Sequence, residues 1–492
     1  MTLKNEKIYL TTTLPYVNGE PHLGFALELV QADVFARYQQ SLGKQVFLNT
    51  GTDEHGLKLY QAAQKEGVTP QEYVDQKSAR FRDLLPALGI LPTANFIRTT
   101  DSHHIAAAQA FWTICQEKGF IYRKKYTTKY CVGCELEKTD SELINGFCPI
   151  HPTTSIELFE EDNYFFKFSN FSKQLLDLYQ SRPDFVVPAG RLHEIKSFVE
   201  QGLQDFSISR LTSKMPWGIP VPGDSEQTMY VWFDALVNYI SAIGWPNDLE
   251  KFNSWWAPAR AERLSARSGG VVQFAGKDNL RQQSAMWQAM LMSVGIEPSK
   301  QIMIHGFITA DGQKMSKSLG NVVNPFDLVR DYGTEAVRYY LARHVHPFED
   351  HDFTAAKFLD AYNSGLANGL GNLVSRVMKM AEQHLTAPVA VVYRPTTDFA
   401  NLITALDRYE FNQALEEIWR HIGAHDNYIQ KTQPFILAKT DLDQARVEIT
   451  KLVQGLADLS VVLTPFLPTT AQTIKDLIAP NRAPTQPLLP RK

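Results

Sequence analysis

Hydrophobic and polar positions near the start of the chain follow a strand pattern and then a helix pattern. Residues 8–13 are rich in β-branched and aromatic side chains, which predicts a strand. After the Asn18-Gly19 turn, apolar residues recur at helical spacing at Leu23, Leu27, Val30 and Val34. Gly43 is expected to end this helix, and residues 46–48 to form a second short strand. Strand, helix and strand in this order predict a parallel α/β unit.

The pattern changes twice further along the chain. From about residue 119 to 223 it holds closely spaced cysteines and aromatic runs, which indicates an insertion. The α/β pattern returns at residues 229–234 and 271–276. Beyond about residue 355, apolar stripes at helical spacing predict a helical bundle. A tail with four prolines after Ala479 is expected to be extended or disordered.

Composition is that of an ordinary globular chain. The 492 residues are 44% hydrophobic and 21% charged, without an apolar run long enough to span a membrane. The polar start of the chain argues against a secretory signal, so a cytoplasmic location without membrane contact is expected. A net charge of −4 gives no support to bulk nucleic-acid binding, and the patch Arg123-Lys124-Lys125 is by default a solvated face.

Two distant segments suit a triphosphate. Pro21-His22-Leu23-Gly24 opens a helix after a strand, where backbone N–H groups and the helix dipole favour phosphate. Lys314-Met315-Ser316-Lys317-Ser318 places two lysines three residues apart among small hydroxyl side chains. Alone, His22 could be a capping or core histidine, and the lysine segment could be a solvated loop. Together they indicate an enzyme that handles a nucleotide.

The cysteines predict a metal site. Cys131-x₂-Cys134-x₁₃-Cys148-x₂-His151 offers two close pairs of ligands, which is typical of tetrahedral zinc. A disulfide is the alternative, and a cytoplasmic location disfavours it. Four protein ligands leave no open position, so the zinc is expected to be structural. Cys115, in a helical pattern, is expected to be a buried apolar residue.

The joint pattern of His22 and the lysine segment resembles the class I aminoacyl-tRNA synthetases. The flanking runs look like the methionyl-tRNA synthetases over nearly the whole chain, and they are residues 13–19, 51–56, 276–278 and 305–307. The resemblance implies a Rossmann-type sheet and a methionine–tRNA ligase. Such an enzyme uses ATP with Mg²⁺ to form methionyl-adenylate and pyrophosphate. It then transfers L-methionine to the 3′ end of tRNA(Met), initiator and elongator alike.

The resemblance also implies residue roles at the nucleotide. His22, Lys314 and Lys317 are the expected catalytic residues, with Lys317 on the departing pyrophosphate. They are also expected to bind ATP, together with Gly24, Gly276, Asp278, His305 and Gly306. Asp278 matches the position that holds the ribose, and Gly276 lets the nucleotide approach the backbone. This reaction needs positioning and electrostatic stabilisation, and no protein nucleophile.

The amino-acid pocket follows from the same resemblance. Asp53 offers a carboxylate to an α-ammonium group. The residues that match methionine-contacting positions are Leu14, Tyr16, Trp232, Ala235 and Tyr239, with Gln283 beside them. Aromatic and aliphatic walls suit a polarizable thioether, although Trp232 and Tyr239 could simply be core residues.

Asn372 and Arg376, spaced i and i+4 on one helix face, match the anticodon-reading pair of the family, and Phe435 matches its base-stacking aromatic. A solvated polar face is the alternative. The expected division is a first catalytic half, a connective insertion with the zinc site, a second catalytic half with the lysine loop, an anticodon-binding domain and the tail. These are residues 1–118, 119–225, 226–354, 355–479 and 480–492.

The chain departs from the family pattern at three places. Phe25 stands where a second histidine is usual, Gln282-Gln283 replaces an aromatic–histidine pair, and Phe435 replaces a tryptophan. Losing one transition-state donor costs about 3 kcal/mol, so Phe25→His is predicted to raise the activation rate. Phe25 also supports the alternative of a tRNA-binding or regulatory paralogue. No appended dimerising domain follows the tail, so a monomer is expected.

Overall fold

The computed structural model describes residues 6–133, 136–138, 142–256, 270–310, 312–315, 320–393 and 399–492. The side chains of residues 128, 136, 137, 159–161 and 314 are outside this description. Two predicted site residues, Cys134 and Lys317, therefore lie outside the described residues, and Lys314 is described by its backbone alone.

The described part of the chain alternates strands and helices up to about residue 353 and is helical afterwards. The strands are β1 Lys7–Thr11, β2 Gln45–Thr52, β3 Asn95–Arg98, β4 Ile121–Cys131, β5 Leu136–Lys138, β6 Glu157–Phe166, β7 Val186–Val187, β8 Phe206–Ser207, β9 Ser209–Leu211, β10 Pro220–Val221, β11 Asp224–Met229, β12 Gly270–Gly276, β13 Gln301–His305, β14 Ile308–Ala310, β15 Gln313–Lys314 and β16 His351–Phe353.

The helices include two π-helical segments, at Gln282–Met286 and Tyr362–Gly371. The α-helices are α1 Leu23–Ser41, α2 Leu57–Glu66, α3 Pro70–Ala87, α4 Ser102–Glu117, α5 Ser172–Ser181, α6 Ala189–Glu200, α7 Val231–Leu236, α8 Asn238–Ser241, α9 Leu249–Trp256, α10 Trp287–Val294, α11 Pro325–Tyr332, α12 Thr334–Arg343, α13 Ala355–Ala361, α14 Asn372–His384, α15 Ala400–Asp407, α16 Phe411–Thr432, α17 Pro434–Thr440, α18 Leu442–Leu463 and α19 Pro468–Ile478. None of the described helices is long and apolar enough to cross a membrane.

A six-stranded parallel sheet organises the first part of the chain, in the order β3-β2-β1-β12-β13-β7. The predicted strand–helix–strand unit is its centre, and α1 ends before Gly43, whose φ of +84° is the left-handed conformation that favours glycine. The strand order reverses between β1 and β12. In an open parallel sheet this switch point leaves a crevice at the carboxyl ends of the strands, where ligands bind.

The segment between α4 and α7 contains two antiparallel sheets, in the orders β5-β4-β6-β8 and β10-β11-β9. One part of it was not anticipated from the sequence. Strand β7 pairs in parallel with β13, so this segment supplies the sixth strand of the parallel sheet. The core sheet is therefore completed by residues from within the insertion.

A buried ion pair joins α12 to α1. Arg338 of α12 lies 2.7 Å from the Asp33 carboxylate of α1, and both side chains are fully buried. The same guanidinium donates to the carbonyl oxygens of Leu88, Pro465 and Phe466. This arginine therefore joins α1 to the turn before α19.

The proline tail follows an irregular path over the helices. Leu488 and Leu489 pack against the hydrophobic core, and the Tyr362 hydroxyl donates to the carbonyl oxygen of Pro490 at 2.7 Å. Asn363 donates to the carbonyl of Lys492 and accepts from its backbone N–H. The tail is irregular and has a defined place on the π-helical segment.

Candidate active site

His22 is the N-cap of α1. Its Nδ1 accepts the backbone N–H of Gly24 at 3.1 Å, so the neutral ring carries its hydrogen on Nε2. The exposed ring thus offers a donor at a helix N-terminus, where the dipole and backbone N–H groups favour an anion. The side chain suits a phosphate oxygen.

A cavity of about 580 Å³ lies at the carboxyl ends of the parallel strands. It gathers every residue predicted to contact ATP or methionine apart from the two lysines. They are Leu14, Tyr16, His22, Gly24, Asp53, Trp232, Ala235, Tyr239, Gly276, Asp278, Gln283, His305 and Gly306. Segments up to about 290 residues apart in sequence meet here because parallel strands end at the same edge of the sheet.

Two glycines let the backbone approach closely on the nucleotide side. A Cβ at Gly276 would stand 2.7 Å from the Asp278 carboxylate, and one at Gly306 would stand 2.1 Å from the backbone oxygen of Glu349. Gly306 therefore excludes a side chain, and a side chain at Gly276 would force the Asp278 carboxylate to move.

Glu28, which belongs to no motif recognised in the sequence, also lines the cavity. Its carboxylate lies 2.8 Å from Nε2 of His305 and accepts the backbone N–H and hydroxyl of Thr13 at 2.5 and 2.7 Å. The Nδ1 of His305 lies 2.7 Å from the carbonyl oxygen of Gly306, so both ring nitrogens have acceptors. Burial alone lowers the pKa of His305, but the hydrogen bond and charge of Glu28 outweigh it and raise that pKa. A carboxylate within an apolar helical run was the available signal.

On the amino-acid side, the loop after β1 and the end of β2 are joined through their backbones. Tyr16 and Asp53 form an isolated parallel bridge, and the N–H of Asp53 donates to the carbonyl of Pro15 at 3.0 Å. The Asp53 side chain is buried at the cavity wall. Tyr239 is buried and Trp232 half-buried, and both line the cavity. Tyr239 is therefore both a core residue and part of the cavity wall, whereas Trp232 is not a core residue.

Behind this wall lies a buried polar cluster that the sequence did not single out. Asp234 of α7 lies 3.0 Å from Nδ1 of His55 and 3.5 Å from Nε2 of His104. Burial raises the pKa of a carboxyl group, yet the two histidines hold the pKa of Asp234 below its ordinary value. The cluster holds α7, which carries Trp232 and Ala235, against the loop after Asp53.

Phe25 lines the cavity one helical turn after His22 and is 8% exposed. Its ring packs edge-on against Phe81 of α3, with the centroids 5.5 Å apart, and Phe81 lines the cavity as well. The position that usually holds a second histidine is thus part of an apolar wall shared by two helices.

The lysine segment begins at β15, where Lys314 pairs through its backbone with Thr309 of β14. Met315 lines the cavity, and its sulfur lies 3.5 Å from the backbone nitrogen of Val323. The carbonyl oxygen of Val323 accepts the N–H of Leu23, the first residue of α1. Met315 and Val323, on either side of residues 316–319, are therefore linked to the helix start that carries His22.

Cys131, Cys148 and His151 form a candidate metal site. Their ligand atoms all lie within 4.8 Å of one another, and the two cysteines are not joined by a disulfide. Tetrahedral geometry with metal–sulfur distances of about 2.3 Å places ligand atoms roughly 3.8 Å apart. Cys131 Sγ and His151 Nδ1 lie 3.9 Å apart, which fits. A Cβ at Gly133 would stand 2.5 Å from the His151 ring, and Gly133 also lines the cavity.

The predicted anticodon residues lie far along the chain in the helical part. Asn372 is exposed and Arg376 half-buried on α14, and Phe435 on α17 is 44% exposed. The Arg376 guanidinium lies 3.0 Å from the carboxylate of Asp426, a partner that the sequence did not reveal. Burial raises the pKa of Asp426, and Arg376 opposes that change.

Comparisons with known proteins agree with this geometry. A family model described as tRNA synthetases class I (M) matches residues 8–157 and 140–378. A second, described as the anticodon binding domain of methionyl tRNA ligase, matches residues 380–486. The chain belongs to the methionyl-tRNA synthetases. This membership accounts for the parallel sheet and the helical part on one chain, and it makes the protein a class I methionine–tRNA ligase.

Individual relatives in this family cover nearly the whole chain. The methionine–tRNA ligase of Fusobacterium nucleatum subsp. nucleatum is 38% identical over 486 residues, covering 96% of this chain and 74% of its own. That of Mesorhizobium japonicum is 39% identical over 491 residues, covering 97% and 92%. The structure of Mycobacterium tuberculosis methionyl-tRNA synthetase with methionyl-adenylate is 34% identical, with a TM-score of 0.88 and coverage of 99% and 100%.

Proposed function

We propose that the cavity at the strand ends carries out both steps of the methionine–tRNA ligase reaction with the residue roles predicted from the sequence. The observation that supports this most is the single cavity that holds the predicted nucleotide and amino-acid residues together. In the first step a methionine carboxylate oxygen attacks the α-phosphorus of ATP, and the bond to the β-phosphate breaks. In the second, the terminal ribose hydroxyl of the tRNA attacks the methionyl carbonyl and AMP leaves.

In the proposed complex, methionine is positioned first by the charge of its α-ammonium group. Asp53 receives the α-ammonium group of methionine, while Leu14, Tyr16, Trp232, Ala235, Tyr239 and Gln283 surround the side chain. Asp278 holds the ribose, and the bare backbone at Gly24, Gly276 and Gly306 admits the nucleotide. His305, held by Glu28, supports the same wall. Orienting the two reactants in this way turns a bimolecular encounter into an effectively unimolecular step.

Stabilisation of the departing pyrophosphate is assigned to His22, Lys314 and Lys317. The Nε2–H of His22 points from a helix N-terminus, and donors aimed at developing charge in such a site are worth several kcal/mol, about 3 for one donor. Class I synthetases use ATP with Mg²⁺, and when bound that ion would neutralise phosphate charge. The carboxylates and backbone oxygens around the cavity fit a hard cation that stays mainly on the phosphates.

We assign a structural zinc to Cys131, Cys134, Cys148 and His151. The three described ligands converge, and thiolates with an imidazole are a donor set that zinc prefers. Because Gly133 borders the cavity between two of these ligands, the metal would order the wall where the acceptor end of tRNA must enter.

For tRNA we propose that Asn372 and Arg376 read anticodon base edges and that Phe435 stacks on a base, in initiator and elongator tRNA(Met) alike. The five-part division given above follows, with residues 355–479 as the anticodon-binding domain. A monomeric enzyme in the cytoplasm completes the proposal.

ATP–pyrophosphate exchange with each of the standard amino acids tests the proposal. Exchange that depends on methionine and is weak with the others is the expected result. Preference for another amino acid would overturn the pocket assignment alone, and absence of exchange with every amino acid would overturn the proposed roles at ATP.

A further inference from the structure

A chain of buried polar side chains runs from the core of the parallel sheet to Tyr239. Ser299 donates its hydroxyl to Oε1 of Gln273 at 2.5 Å, and Nε2 of Gln273 donates to Oε1 of Gln283 at 3.2 Å. Nε2 of Gln283 donates to the Tyr239 hydroxyl oxygen at 2.7 Å. All four side chains are at most 2% exposed.

Two backbone groups fix the direction of the donors. The backbone N–H of Ser299, which can only donate, lies 2.9 Å from Oε1 of Gln288. Nε2 of Gln288 in turn lies 2.7 Å from the backbone carbonyl of Gln283, which can only accept. The amide of Gln288 therefore has one possible orientation. Its Nε2 also faces the Ser299 hydroxyl oxygen at 3.3 Å, so that hydroxyl hydrogen is directed to Gln273.

The orientation of each following side-chain amide is then determined by the one before it. Because Ser299 donates to Gln273, the oxygen of that amide faces Ser299 and its nitrogen faces Gln283. The oxygen of Gln283 is thereby engaged, and its nitrogen faces Tyr239. The Tyr239 oxygen accepts this hydrogen bond, so its own hydrogen must leave in another direction. Tyr239 and Gln283 both line the cavity.

Two further observations keep this donor in place. The Tyr239 ring packs against Trp287, with centroids 5.8 Å apart. Burial raises the pKa of Tyr239 above its ordinary value, although hydrogen bonds from Gln283 and Asn238 oppose this, so the hydroxyl keeps its hydrogen.

We propose that Gln273 is a positioning residue for amino-acid specificity, since it orients Gln283 so that the Tyr239 hydroxyl presents its hydrogen to the cavity. The group that would accept it is the thioether sulfur of methionine, a weak acceptor. This inference rests on the proposed function, in which Tyr239 contacts the methionine side chain. Norleucine has a methylene in place of the sulfur and nearly the same shape, so it measures the hydrogen bond alone.

The test compares methionine with norleucine in ATP–pyrophosphate exchange for the native enzyme and for Gln273→Leu. The substitution keeps most of the volume and removes both amide groups, so Gln283 can turn its oxygen towards Tyr239 and draw the hydroxyl hydrogen back. We expect the ratio of kcat/KM for methionine over norleucine to fall about three- to tenfold, the worth of one neutral hydrogen bond.

Ser299→Ala gives a second test that leaves the shape of the core almost unchanged, and it should lower the ratio in the same direction. Ser299→Thr keeps the hydroxyl and should restore the native ratio. The matched control is Gln227→Leu, because Gln227 is also fully buried and hydrogen-bonded to Ser209 and Asp162, in another sheet. Its ratio should equal that of the native enzyme.

Equal losses for both amino acids in Ser299→Ala, or in a folded Gln273→Leu, would show a structural role only and would overturn the inference. A native enzyme that does not activate methionine would instead overturn the proposed function. If Gln273→Leu does not fold, Ser299→Ala and its threonine counterpart decide the matter.

Discussion

The cavity at the strand ends and the proposed anticodon surface use side chains in opposite ways. In the cavity, His305 is 5% exposed and hydrogen-bonded at both ring nitrogens. On α17, Phe435 is 44% exposed. A reaction that develops charge needs donors fixed in advance and shielded from water. Single-stranded bases bring their own faces and edges, so an exposed aromatic can serve them.

The arginine on the helical surface illustrates the same difference. Arg376 is held by Asp426, and both side chains are 32% exposed. Such a pair contributes little to stability, about 0–1 kcal/mol, so the arginine can exchange its partner for a base. Glu28 and His305 are almost fully buried and cannot exchange partners in this way. The side chains of the cavity are held in place by buried partners, whereas those of the proposed anticodon surface are partly exposed and free to change partners.

Phe435→Ala should separate the two regions most strongly. Stacking on one base is worth about 1–3 kcal/mol, so the KM for tRNA should rise roughly ten- to hundredfold. Adenylate formation and thermal stability should stay nearly native because the ring is exposed. Aminoacylation kinetics measure the KM for tRNA, and ATP–pyrophosphate exchange measures adenylate formation. Leu249→Ala, another exposed apolar residue in the catalytic part, is the control and should leave the KM for tRNA unchanged. A parallel fall in exchange would contradict the separation.

Phe25→His probes the cavity, where function and stability should change together. The sequence alone predicts a faster activation step, but the packing against Phe81 reverses that expectation. A histidine in this apolar wall lacks a partner, and we expect a loss of about 1 kcal/mol in the free energy of unfolding. The rate of methionyl-adenylate formation should not rise. Urea unfolding measures the free energy of unfolding, and single-turnover kinetics measure the rate of methionyl-adenylate formation. A faster rate at native stability would support the prediction made from the sequence alone.

Glu28→Gln removes one partner of a buried ion pair, and its effect on the free energy of unfolding should change with pH. In the native chain the pKa of His305 is raised, so its protonated form stabilises the fold fully below its ordinary pKa of about 6.5. That contribution is lost as the pH rises through the raised pKa. The difference in unfolding free energy between native chain and variant should therefore be largest near pH 6 and shrink towards alkaline pH. Denaturation at several pH values measures it, and a difference that grows with pH would refute the assignment.

The fold was predictable because its signals are local. Residues 8–13 and the apolar positions of α1 carry the periodicity of their elements, and the class and order of the regions follow. Strand β7 was not predictable in the same way, since two valines within an insertion carry too short a pattern. Its place beside β13 depends on how the chain returns after the antiparallel strands.

The residues of the site likewise include some that were predictable from the sequence and some that were not. Motif residues such as His22 and Asp278 were found because they match motifs of the family that the chain resembles, and the structure brings the described ones to one cavity. Glu28 was missed because its partner His305 is 277 positions away. Gln273 was missed because a glutamine in an apolar strand gives no indication of what it faces.

The sequence by itself determined the first strand–helix–strand unit, the change to a helical region, the family motifs and the places where this chain departs from them. These follow from residue spacing along the chain, which folding does not alter. Only the tertiary structure decided what each departure means. Phe25 has become part of an apolar wall with Phe81, and Gln283 has become the end of a hydrogen-bond chain that starts at Ser299. Both outcomes depend on groups that are distant in sequence and in contact in space.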